Sequence, residues 1–116
     1  MPPIVDLSRV RAHRLARAVL ARQAQLDRLP TAQRLERERV LDGAFDEMLH
    51  AAERARSTDA LTAAIARACL ARAVWRAAHD LDADPGVTAD AYTAALFELA
   101  STVHGESQRS QRARRR

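Results

Sequence analysis

"ALTAAIARACLARAVWRAAHDL", residues 60–81, decides the fold. Nine of the nineteen residues from Ala60 to Ala78 are alanine, the strongest helix former, and neither glycine nor proline interrupts the stretch. At 100° per residue, Leu61, Ile65, Cys69 and Trp75 lie on one side of a helix and Leu70, Val74 and Leu81 on the other. Arg72, Arg76 and Asp80 leave only a narrow polar strip, and Arg67 stands apart. A helix apolar on nearly all sides is expected at the centre of a helical assembly, its small alanines admitting neighbouring backbones closely.

Three more helices are expected around it. Asp6 or Ser8 opens one that runs to Leu29, where Pro30 stops it; its apolar line is Leu15, Val19, Leu26 and Leu29, interrupted by Arg22. Thr31 caps the next, to about Arg56, with Val40, Leu41, Ala44, Phe45, Met48, Leu49 and Ala52 on one face. Glu36, Arg39, Asp42, Asp46, Glu47, His50 and Glu53 take the opposite face, and Gly43 sits among them. "STD" at 57–59 starts the alanine-rich helix. After Pro85-Gly86, Thr88 caps the last, with Val87 and Tyr92 as a hydrophobic staple, the stripe Tyr92, Ala95, Leu96, Leu99, Val103, and Gly105 as its stop.

The fold class read from this pattern is all-α. Residues 1–104 form a four-helix bundle of mainly antiparallel helices, and 105–116 a disordered basic tail. The apolar inventory is thin (13 Leu, 7 Val, 2 Ile, 2 Phe, one Trp, one Tyr), which favours an oligomer that buries more of each stripe.

Charge is unevenly spread. Residues 1–29 carry six arginines against Asp6 and Asp27, a net +4; residues 30–104 carry eight against twelve acids, a net −4. Residues 105–116 carry five against Glu106, again +4, so the high pI belongs to the tail. Lysine and asparagine are absent, which points to coding bias in a GC-rich, bacterial gene. One cysteine, Cys69, forbids an intrachain disulfide and suits a reducing cytoplasm. The N-terminal stretch lacks a continuous apolar core of the signal-peptide kind, and no apolar run approaches membrane-spanning length, so no membrane partner is expected.

Catalytic and metal-binding patterns fall short. Glu47 and His50 have the E-x-x-H spacing of carboxylate-bridged iron sites, but those need two such motifs facing inward. "DLDADPG", Asp80 to Gly86, begins like a calcium loop, yet its glycine is one residue late and Ala91 stands where a bidentate glutamate belongs. His50 is followed by "AAER", with Glu53 and Arg54 where histidine phosphotransfer domains place a lysine and glycine, so that resemblance fails. Cys69 reads as a small packed hydrophobe. No cofactor, metal or small-molecule substrate is expected, and the chain is not read as an enzyme.

Two functions follow from what is left. The first is a non-enzymatic helical protein acting through protein–protein contacts, as adaptor, chaperone-like factor or assembly component, with Trp75, Tyr92 and Phe97 as the candidate interface and self-association as one form of it. The alternative is attachment to nucleic acid through Arg9, Arg14, Arg17 and Arg28 of the first helix and Arg109, Arg112, Arg114, Arg115 and Arg116 of the tail. Against it stand an acidic middle and aromatics that are not interleaved with the arginines. An exposed apolar patch would favour the first; a continuous arginine surface joining first helix and tail would favour the second.

Overall fold

The structure, a computed structural model, describes residues 5–56, 58–81 and 86–114. Four helices follow one another: α1 (Leu7–Asp27), α2 (Thr31–Arg54), α3 (Ala60–Asp80) and α4 (Gly86–Arg114). Among the described residues there is no strand, and no helix is long and apolar enough to cross a membrane.

Local chemistry sets the helix ends. Asp6 caps α1 by accepting from the Arg9 N–H at 3.2 Å, and its other oxygen accepts from the Arg56 N–H at 2.7 Å, tying the start of α1 to the end of α2. At the far end Arg34 reaches back to cap α1, donating to the Leu29 carbonyl at 2.8 Å and the Asp27 carbonyl at 3.2 Å. The cap position of α2 is Pro30, which makes no side-chain cap bond; Thr31 is the first helical residue and not the cap its sequence position suggests. Asp59 and Thr62 form a reciprocal capping box at the start of α3.

α1 packs chiefly on α2 and α3 on α4, while narrower α2–α3 and α1–α4 contacts close the bundle. Glu38 of α2 meets Arg72 of α3, whereas Phe45 further along α2 meets Cys69 earlier in α3. The core is built from Val19, Leu41, Met48, Leu61, Ile65 and Leu99, one or more from each helix. Burying each such side chain contributes about 1.5–3 kcal/mol before its entropy cost. Ala12 and Ala16 are fully buried, so α1 approaches its neighbours through small residues as well as through its larger ones.

Several expectations are corrected. α3 is not enclosed: Leu70, Val74 and Leu81 are exposed, because three neighbours cover only its other side. Val40 is exposed on α2, whereas Glu38 is buried in its place. Val87 is exposed and Thr88 lies inside α4, so the expected staple and cap are replaced by a helix that starts earlier, at Gly86. Gly105 does not stop α4. The helix continues through it to Arg114, so residues 105–114 are helical where the sequence pattern suggests an irregular tail. Arg115 and Arg116 lie outside the described residues, as do residues 82–85 within the expected acidic loop.

Candidate functional site

Arg72 organises the interior. It is only 2% exposed, and its guanidinium is held by polar groups of two neighbouring helices. Nε donates to Asp42 at 3.0 Å, Nη1 to the Tyr92 hydroxyl at 2.9 Å, and Nη2 to the Glu38 carboxylate at 2.5 Å. The Tyr92 hydroxyl in turn donates to the Gln23 side-chain oxygen at 2.6 Å, so one polar chain crosses all four helices. Rings complete the enclosure: the Arg72 guanidinium carbon sits 4.9 Å from the Phe45 ring centre, 5.6 Å from Tyr92 and 5.8 Å from Trp75. Burial works against the Arg72 charge, but Tyr92 and Glu38 outweigh it and raise its pKa above the ordinary value. Burial also pushes the Tyr92 hydroxyl up to about 12, leaving it protonated and able to donate to Gln23. No buried side-chain nitrogen or oxygen among the described residues lacks a partner.

Arg72, Asp42 and Phe45 of this cluster line a groove of about 550 Å³ between α2 and α3, whose mutual contact is narrower than that of α1 with α2 or α3 with α4. Phe45, Leu49, Cys69 and Leu70 give it apolar walls; Asp46 and Asp80 stand at its edge. Cys69 shares its S–H with the Phe45 carbonyl at 3.7 Å. Burial, followed by the nearby acids Asp46 and Glu53, pushes the thiol up to about 12, so it is no nucleophile at neutral pH. The groove opens onto the outer face of α3, where Leu70 (66% exposed), Val74 (49%) and Leu81 (80%) alternate with the exposed Ala66, Ala73 and Ala77.

The candidate interface residues therefore separate. Tyr92 is buried within the chain, against Arg72 and Phe45. Trp75 is half-buried, stacked on Tyr92 with ring centres 5.5 Å apart and on His79 at 6.1 Å. Phe97 stands 73% exposed on α4.

The candidate nucleic-acid residues also divide. Arg9 is engaged inside the fold, donating to Asp59 through Nε at 3.1 Å and Nη2 at 3.0 Å, and to Glu106 through both terminal nitrogens, the Nη1 contact at 3.0 Å. Arg14 and Arg17 are exposed on α1, Arg28 just past its end, and Arg109, Arg112 and Arg114 on the end of α4. Arg17 and Arg114 line one cleft together with His13, Ser107, Ser110 and Gln111. Arg28, the residue just past the end of α1, lies about 16 Å further along the helix axis by the helical rise, and neither it nor Arg14 lines that cleft.

Sequence reasoning did not find the role of Arg72 or Glu38. One signal was present: Arg72 sits in an apolar helix four residues before Arg76, and Glu38 and Asp42 share a face of α2 at the same spacing. Among the described residues no three His, Cys, Asp or Glu side chains gather as a metal site. Compared with protein families, with curated proteins and with solved structures, the chain finds no match in any of the three.

Proposed function

We propose that the chain is a non-enzymatic helical protein that acts by protein–protein contact, as an assembly component, and that a second copy of itself occupies the outer face of α3. The exposed apolar face carries this reading: Leu70, Val74 and Leu81 together make a stripe that the chain's own helices leave bare. The stripe alternates large and small side chains. Paired in opposite senses about a point between Ala73 and Val74, Leu70 of one copy meets Ala77 of the other, and Leu81 meets Ala66. A large group opposite a small one on each side is the self-complementarity that a twofold interface requires. The opposed stepping of the Glu38–Arg72 and Phe45–Cys69 contacts supports an antiparallel bundle as the unit that presents this face.

The test is a photoreactive benzophenone side chain introduced in place of Val74. The expected product has twice the chain mass and joins α3 to α3. The same group in place of Arg37, exposed on α2, gives none. Absence of the doubled product from the Val74 position rejects the reading.

A second reading, attachment to nucleic acid, is favoured by one placement: Arg17 of α1 and Arg114 of α4 line the same cleft.

A further inference from the structure

We infer that the cleft between α1 and the end of α4 is a binding site for a phosphate group, held between Arg17 and Arg114. The inference rests on the second reading above for its macromolecular form, but not for the site itself. Four observations carry it. The helix passes through Gly105 without a break, so Ser107, Ser110, Gln111 and Arg114 recur on one side of α4, and that side lines the cleft with His13 and Arg17. The segment is fixed in place at its start, where Arg9 clasps Glu106 and His13 Nε2 lies 3.6 Å from the same carboxylate.

Third, the charge in the cleft is unbalanced. Arg9 engages Glu106, while neither Arg17 nor Arg114 has an ion-pair partner among the described residues. Two guanidinium groups facing one space repel each other unless an anion enters. Fourth, the neutral groups there can donate: the Ser110 hydroxyl and the Gln111 amide line the same cleft as the two cations, while Ser107 is already committed to the Val103 carbonyl at 3.1 Å. Planar guanidinium forks with a hydroxyl and an amide match the several acceptor oxygens of a phosphate better than they match the two of a carboxylate. The negative end of the α4 dipole opposes an anion here, but its half charge is outweighed by two full ones. Arg109 and Arg112 are exposed and do not line the cleft.

The experiment is a proton–nitrogen NMR titration of the full chain at constant ionic strength, with inorganic phosphate in one arm and a short phosphodiester oligonucleotide in the other. Saturable shifts are expected at Arg17, Ser110, Gln111 and Arg114. R17Q/R114Q should weaken them at least about tenfold, since both charge-assisted contacts are lost. R28Q, which alters an exposed arginine outside the cleft, should leave them unchanged. Tighter binding of the oligonucleotide than of phosphate assigns the source to a nucleic-acid backbone. Phosphate binding with no gain from the oligonucleotide keeps the site, assigns it to free phosphate and rejects the nucleic-acid reading. Shifts scattered over all exposed arginines, equal response in R17Q/R114Q, or no saturable shift in either arm overturns the inference. Amide spectra of the double variant, compared with the unmodified chain, separate loss of binding from loss of fold.

Discussion

Arg72 of α3 donates to the hydroxyl of Tyr92 of α4 across 2.9 Å, within a buried polar chain that draws on all four helices. The partners come from different helices, so one register of the bundle lets the pair make all of its bonds and offset the cost of its burial. Replacing Arg72 by Met leaves Glu38 buried without its cation, and the expected loss is about 3–5 kcal/mol. That is a large part of the roughly 5–15 kcal/mol available to a domain. Y92F, which removes one hydroxyl and its two bonds, should cost about 1–2 kcal/mol. Urea denaturation followed by circular dichroism measures both; an R72M midpoint equal to that of the unmodified chain contradicts the assignment.

Gly105 tests the continuity of α4. A β-carbon added there, or at Gly43, meets nothing within 4 Å, and neither glycine has the left-handed backbone that would penalise a side chain. G105A should therefore add helicity at 222 nm and stabilise by about 0.5–1 kcal/mol. A helix stopped at Gly105 would respond in the opposite direction, because alanine disfavours the usual glycine stop.

Asp59 gives the fold an acid-sensitive joint. Burial acts to raise its carboxyl pKa, but the Thr62 N–H and Arg9 outweigh it and hold the group below its ordinary value of 3.8. Its stabilising effect is complete above that ordinary value and is lost as pH falls through the lowered one. Thermal melts from pH 7 down to pH 2 should show a steeper fall for the unmodified chain than for D59A, which has no such proton to take up. Parallel curves contradict the coupling.

Cys69 should be nearly inert. With the thiol pushed up to about 12 from 9.0, its thiolate fraction at pH 8 is roughly a thousandfold below that of a free cysteine. Alkylation by iodoacetamide is expected to be slow in the native chain and to reach the free-thiol rate in urea.

The helices were legible because their signals are local. Proline at 30, the "STD" start at 57–59 and the apolar spacing of α2 and α3 each act within a turn or two. What was not legible depends on distance in the chain. Arg72 and Glu38 are 34 residues apart, and a single sequence does not reveal that two charges on different helices meet inside. The same applies to the Arg9–Glu106 clasp across 97 residues, which fixes the helix just beyond Gly105 against α1 and draws Arg9 away from the surface. The all-round apolar character of α3 was visible, but not its meaning. A stripe facing a neighbouring helix and a stripe left bare read alike along the chain.

Sedimentation velocity over a range of concentrations, comparing the unmodified chain with L70E/V74E, tests the central claim most directly. Both residues are exposed, so the variant should fold, with the melt that the unmodified chain shows at concentrations where it is monomeric. The unmodified chain is expected to move from monomer to dimer as concentration rises, while the variant stays monomeric throughout. A monomeric unmodified chain over the whole range, or a variant that associates equally well, would contradict pairing through α3.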